Sequence, residues 1–257
     1  MPEIPDLNIF RKNLALKLVG KKLERFEVLV ARQLKVSVAE IKEALEGQTL
    51  QAIERSGKEL HFEFQNGHTL SLHLMLHGTM YWYEGINENR FTIAEMLFSD
   101  GIGLAITDWQ KAMILTLDPK PVTVPDALKM PDGYLIDALN NNSHPIKTVL
   151  TEGKTVRGIG NAYVDEILYE AKISPFSRAD KIPLDKIVIL TAAIGSVLKN
   201  AENHILQNFP NTITEKERDF LQVHRPKQTL TLSGEEILKA DINKRKTYFT
   251  ASQTLFE

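Results

Sequence analysis

The chain opens Met1-Pro2-Glu3-Ile4-Pro5-Asp6, a cluster with chemistry in it. A small second residue such as proline permits removal of the initiator methionine, which leaves a secondary amine at Pro2. An α-amine titrates close enough to neutrality that a useful fraction is unprotonated at pH 7. A secondary amine that attacks an aldehyde gives a charged iminium directly. That species is an electron sink, acidifying the neighbouring carbon and permitting elimination. Glu3 stands beside the amine as a proton shuttle. Taken alone, the same residues also read as a terminus stiffened by Pro2 and Pro5.

A second cluster is Val156-Arg157-Gly158-Ile159-Gly160-Asn161. It precedes an amphipathic stretch with Tyr163, Ile167 and Ala171 at i, i+4 and i+8. A Gly-x-Gly turn that opens a helix presents backbone N–H groups and the positive end of the helix dipole, which suits a phosphate. Asn161 adds an amide to that anion, and Lys147 and Arg157 add charge. The other reading is a tight helix–helix connection in which the glycines only permit positive φ.

Periodicity places the elements that must hold these groups. Residues 6–18 read as a helix from Leu7, Phe10, Leu14 and Leu18, and 38–45 as a second. Strand patterns follow at 61–64, 69–76, 91–98, 104–108 and 114–117, with Asn66-Gly67 as a hairpin turn. Pro119, Pro121, Pro125 and Pro131 mark a connection. Helices are expected at 134–139, 146–151, 162–171 and 184–208, and short strands around Ser233-Gly234. The fold class is α+β, multidomain. Residues 1–118 form a β-sandwich with flanking helices, 119–133 a linker, 134–223 a helical domain and 224–257 a tail of short strands.

Composition bounds the answer. The 257 residues carry a formal net charge of −2, which excludes a uniformly basic nucleic-acid binder but not a local basic groove. There are no cysteines, so disulfides and thiolate zinc sites are excluded. Neither a membrane-spanning apolar run nor a signal peptide is evident.

The two clusters occur with further segments in a fixed order. MPEIPDLNIF resembles MPELPEVET, Ser56-Gly57-Lys58 resembles a short basic turn with an essential lysine, and His73 to Gly78 resembles HLGMSG. Asp108 stands at the aspartate of DPRRFG. Residues 146–153 with GIGNAYVDEILYEAKISP resemble IKTLLLDQ…GIGNIYADEALFRAGIHP, and Arg245 to Thr250 resemble RGTYFC. This set, spanning nearly the whole chain, resembles the formamidopyrimidine-DNA glycosylase and endonuclease VIII family. The resemblance implies a helix–two-turn–helix domain at 134–223, a finger at 224–257 and DNA in the cleft between the halves. The damaged nucleotide is flipped out of the stack. Pro2 attacks its C1′, Glu3 assists sugar-ring opening and proton transfer, and Lys58 serves the same catalytic site. Lys58, Asn161 and Arg245 grip phosphates, with Lys147, Gly158 and Gly160 as further DNA-binding positions. Without the family, Lys58 reads as a solvated turn lysine and Arg245 as part of a solvated charge cluster.

The same resemblance implies double-stranded DNA with a damaged or abasic nucleotide as partner, no cofactor, a monomer, and a bacterial cytoplasmic, nucleoid-associated setting. The expected activity is that of a bifunctional DNA glycosylase and abasic-site lyase. The alternatives are a catalytically weak or silent abasic-site binder of the same fold, and a scaffold for RNA or protein.

Three departures stand out. Thr250 and Gln253 occupy the second C-x-x-C pair of the family's zinc finger, and neither is a plausible zinc ligand. The finger is therefore expected to be zincless and held by Leu230, Leu232, Ile237, Ile242 and Phe249. The methionine, arginine and phenylalanine that fill the gap left by a flipped base correspond to Leu76, Gln110 and Ala112. Leucine can wedge, but glutamine brings no charge and alanine is too short, while Trp109 reads either as a stacking group or as core. The family's second glutamate is Asp6, one methylene shorter.

Overall fold

A computed structural model describes residues 1–32, 34–214 and 216–257. The chain divides into two compact units, 1–121 with 205–216, and 122–204 with 217–257.

The first unit begins with α1 (Ile4–Leu18). Pro5 sits in its first turn, where a missing N–H costs nothing, and Leu7, Phe10, Leu14 and Leu18 are all buried. Next come β1 (Leu23–Val28), α2 (Val38–Leu45), β2 (Leu50–Ser56), β3 (Glu59–Phe64) and β4 (Thr69–His73). They are followed by β5 (Thr79–Glu84), β6 (Thr92–Phe98), β7 (Ile102–Thr107) and β8 (Ile114–Leu117). Ser37 and Glu40 form a reciprocal capping box that starts α2. Two four-stranded antiparallel sheets result, in the orders β1-β6-β7-β5 and β2-β3-β4-β8. Phe26, Met96, Phe98 and Leu104 from one sheet and Phe62, Phe64, Leu70 and Leu72 from the other join the α1 side chains in one core. Burying a side chain of this size contributes about 1.5–3 kcal/mol, so this core fixes where the N-terminal helix lies. Ile213, from the returning segment, belongs to it too.

Strands β1, β2 and β5 lie outside the strands that alternation predicts. Bulges between Leu23 and Arg25 and between Leu50 and Ala52 break the period of two in the first pair. In β5 the buried residues are Met80 and Tyr83, three apart.

The second unit contains α3 (Tyr134–Leu139), α4 (Ile146–Thr151), α5 (Asn161–Glu170) and most of α6 (Leu184–Asn208). Tyr163, Ile167 and Ala171 are buried as their spacing requires. The terminal hairpin is β9 (Leu238–Ile242) with β10 (Arg245–Phe249). Its two-residue turn, Asn243-Lys244, has positive φ at both positions. Around Ser233-Gly234, where short strands are expected, the chain makes a turn closed by Gly234 N–H to the Thr231 carbonyl and flanked by a single antiparallel bridge between Leu230 and Glu236.

Candidate active site and nucleic-acid interface

Pro2 is buried, and Glu3, the N-cap of α1, is 3% exposed. The Glu3 backbone N–H donates to the Asp6 carboxylate at 2.8 Å, and Asp6 is fully buried. A helix N-terminus leaves donors over, and Asp6 satisfies one of them. In doing so it fixes the backbone that carries Glu3. The shorter acid at position 6 thus acts as a cap.

Lys58 lies in the two-residue loop between β2 and β3, where Ser56 pairs with Glu59. Gly57 has φ 62°, which such a turn needs at its first central position. Arg55 holds this turn. Its Nη1 donates to the Gly57 carbonyl at 2.8 Å and its Nε to Asn8 Oδ1 at 2.7 Å. Asn8 is on α1, so one guanidinium ties the Lys58 loop to the helix that starts beside Pro2 and Glu3. Nothing in the sequence singles out Arg55, because an arginine in a strand reads as a solvated charge.

His73 is a second such residue. It ends β4, and burial holds its imidazole below the ordinary histidine range, against the pull of the Glu59 carboxylate and with the push of the Lys58 ammonium. Its Nδ1 accepts from the Met75 backbone N–H at 3.1 Å. The neutral ring therefore carries its proton on Nε2.

The loop after His73 closes through the Gly78 N–H to the Leu74 carbonyl at 2.9 Å, and Leu76 is 57% exposed on it. The other two wedge positions sit on a loop organised by Asp108, a buried carboxylate. One oxygen accepts from the Gln110 N–H at 2.9 Å, the other from the Ala112 and Met113 N–H groups at 2.7 and 2.9 Å. Gln110 is exposed and Ala112 half-buried. Trp109 is 57% exposed, so it is not a core residue, and its ring lies 4.9 Å from that of His77.

In the second unit, Gly158 has φ 99° before α5, a value that favours glycine. Gly160 is the N-cap at φ −112°, extended backbone open to any residue. Asn161 Nδ2 donates to the Lys246 carbonyl at 3.0 Å, while its Oδ1 is buried without a hydrogen-bond partner. An amide nitrogen has two protons, so one is left over for an anion. Arg245 precedes Lys246 and is exposed at the hairpin turn, and Asn243 Nδ2 donates to Thr148 Oγ1 at 3.0 Å. Asn161 and Arg245 are thus brought together through the finger strand. Arg157 is turned aside: its Nε donates to the Val124 carbonyl at 2.9 Å.

Lys147 requires a correction. It is 1% exposed, and its Nζ donates to Asp165 Oδ1 at 2.8 Å, to the Lys246 carbonyl at 3.0 Å and to Thr247 Oγ1 on β10 at 3.0 Å. An ammonium has three donors, and these partners account for three. Lys147 therefore holds the finger onto the helices and offers no charge to a phosphate. The other Asp165 oxygen accepts from the Tyr248 N–H at 3.2 Å and lies 2.8 Å from His224 Nδ1. The neighbouring Glu166 accepts from the N–H groups of Gln222, Val223 and His224. Burial pushes its carboxyl above the ordinary range, and those three donors oppose the shift.

Hydrogen bonds join the residues at the end of the finger where the second cysteine pair of the motif would fall. Thr250 N–H donates to Gln253 Oε1 and Gln253 Nε2 to the Ile173 carbonyl, both at 2.8 Å. Ser252 and Tyr169 hydroxyls each donate to Glu235 at 2.6 Å. Ile237, Tyr248, Val223 and Tyr169 pack together, and Phe249 meets Phe176 edge-on. Leu230 and Leu232, expected to pack here, are more than half exposed. Among the described residues no group of three or more His, Cys, Asp or Glu side chains is placed to hold a metal.

Residues 1–114 match the formamidopyrimidine-DNA glycosylase N-terminal domain and residues 123–207 the formamidopyrimidine-DNA glycosylase H2TH domain. The formamidopyrimidine-DNA glycosylase of Halalkalibacterium halodurans is 30% identical over 270 residues, covering 97% of this chain and 98% of its own. That of Enterococcus faecalis is 31% identical over 216 residues, covering 78% and 76%. Lactococcus lactis Fpg in complex with an abasic site containing DNA superimposes with a TM-score of 0.87 at 26% identity, over 98% of this chain and all of that one. The same protein with a FAPY-dG containing DNA gives 0.86 at 26% identity.

Proposed function

The chain belongs to the formamidopyrimidine-DNA glycosylase family, and from that premise we propose a bifunctional DNA glycosylase of base-excision repair whose nucleophile is the amine of Pro2. The amine attacks C1′ of a damaged nucleotide, the glycosidic bond breaks, and the base leaves with the bonding pair. Glu3 moves the proton that opens the sugar ring. The resulting iminium acidifies C2′, and elimination expels the 3′ phosphate. At a pre-existing abasic site the same iminium forms from the aldehyde with loss of water. Lys58, Asn161 and Arg245 hold phosphates of the flanking backbone, Arg245 by its planar guanidinium. Acting as a monomer in the bacterial cytoplasm, on nucleoid DNA, belongs to the same reading.

The observation that carries it is the seating of residues 2–6: Pro2 and Glu3 are buried at the head of α1, with the Glu3 backbone fixed by Asp6. Borohydride trapping tests it, using oligonucleotides with an abasic site, an 8-oxoguanine or an oxidised pyrimidine. A covalent adduct that requires the free Pro2 amine is the expected result, with the intact mass reporting whether Met1 is gone. The exposed Gln110 and the short Ala112 favour a second reading, a silent protein that binds abasic DNA. Tight binding with no adduct on any substrate selects that one.

A further inference from the structure

Four aromatic side chains among the described residues, Tyr81, Phe91, Trp109 and Phe176, are more than a third exposed. Three of them line a single groove of about 640 Å³ in the first unit, together with His77, Asn89 and Arg90. Exposed apolar surface scattered singly needs no explanation, but a contiguous aromatic patch marks a binding site. This one is also pre-formed. Phe91 has φ 61°, in the left-handed region that a bulky side chain seldom enters. It is held there by its carbonyl, which accepts the Asp108 N–H at 3.0 Å. Strain of this kind persists where the surroundings impose it, and it gathers at ligand-contacting sites. The His77 ring, 4.9 Å from Trp109, braces the indole from one side.

We propose that this groove receives the base opposite the lesion, stacked on Trp109. The inference rests on the reading that the chain binds damaged duplex DNA. The groove is built by residues 77–79 and 107–109, on the two loops that carry Leu76, Gln110 and Ala112. With a glutamine and an alanine at two of those positions, little side chain is present to take up the stacking that a base loses when its partner is extruded. The indole, adjacent in sequence to Gln110, supplies a broad face. Aromatic faces accept every base, because every base has a π-face. Arg90 is exposed at the same groove with no carboxylate partner among the described residues, and an arginine adds cation–π and hydrogen-bond donor character to such a site. Aliphatic ligands fit this lining less well, since neither the cation nor the flat rings would be used.

The test compares two duplexes at one fixed salt concentration. Both carry an uncleavable abasic analogue. One has cytosine opposite, and the other has a second abasic analogue there. Fluorescence anisotropy of the wild-type chain is expected to show about tenfold tighter binding when the cytosine is present, the size of one base stacked on an aromatic ring. In W109A that ratio collapses towards one, and in W109F, which keeps a ring, most of it returns. F91L, which leaves Trp109 in place, lowers the ratio by a smaller factor. A ratio near one in the wild type, or an undiminished ratio in W109A, overturns the proposal. Trapping at Pro2 on natural abasic DNA separates the two readings. An adduct with a wild-type ratio near one sinks the groove alone, a tenfold ratio with no adduct sinks the Pro2 chemistry alone, and no binding to either duplex sinks both.

Discussion

The head of α1 and the loop at 108–113 are built by one device and put to different ends. Each is organised by a buried aspartate whose carboxylate accepts backbone N–H groups: Asp6 takes one from Glu3, and Asp108 takes those of Gln110, Ala112 and Met113. On the first frame the residues to which we assign the chemistry, Pro2 and Glu3, are those of the family motif. On the second the frame matches while the side chains it displays do not, with glutamine and alanine where the motif has arginine and phenylalanine. A backbone held by a buried carboxylate is indifferent to its exposed side chains. Loops of that kind can change what they read without changing how they fold.

That contrast can be broken at either end. The largest effect is expected at Pro2: one extra residue ahead of it should abolish borohydride trapping and strand cleavage, because the secondary amine no longer exists. Gln110→Ala, by contrast, should leave the adduct forming. An equal loss of adduct from both changes would erase the distinction between the two frames. The next effect is in the second unit. Lys147→Met leaves Asp165 buried and without its ammonium, and should destabilise by about 3–5 kcal/mol in urea unfolding. Its salt dependence of DNA binding should be unaltered, since the wild-type ammonium is already taken up inside the protein. Asp108→Ala strands three backbone donors, and a cost of about 2–3 kcal/mol is expected. Asp108→Asn, which keeps an acceptor, should cost less by the same measurement.

Smaller effects separate grips from struts. Arg245→Ala and Lys58→Ala should each lower the slope of log Kd against log salt by about one unit if each neutralises one phosphate. Little change in urea midpoint is expected for the exposed Arg245. The smallest concerns acid. Hydrogen bonds from Ser252, Tyr169 and Thr250 lower the Glu235 carboxyl from 4.5 to about 2. A carboxyl whose folded pKa lies below its unfolded one stabilises above the unfolded value and ceases to as pH falls through the folded one. The finger should therefore loosen between about pH 4.5 and 2, by no more than about 1 kcal/mol for so solvent-accessible a group. The same titration of Glu235→Gln by tyrosine circular dichroism should lack that component.

Much of this was legible beforehand because the signals are local. Helical spacing marked α1, α2, α4, α5 and α6 to within a few residues, and Gly158 takes the positive φ that a glycine turn permits. Of the strands that escaped, β1 and β2 carry bulges that interrupt their alternation, and in β5 the buried residues are three apart. Lys147 misled for another reason. A lysine near a glycine turn looks like a phosphate ligand until its carboxylate partner, eighteen positions away at Asp165, is known to be buried beside it. Arg55 and His73 escaped because their partners, Asn8 and the Met75 backbone, give no sign of themselves in the order of residues.

By itself the sequence determined which groups are available: a proline behind one methionine, a glutamate beside it, a glycine turn ahead of a helix, and no thiol for a metal. Those follow from residue type and short-range spacing. Tertiary structure decided which charges face water and which are struts, and it turned Trp109 from an undecided residue into an exposed ring beside His77. The physical reason is that burial and pairing are set by segments far apart in the chain. A charge or a ring acquires its role only when those segments meet.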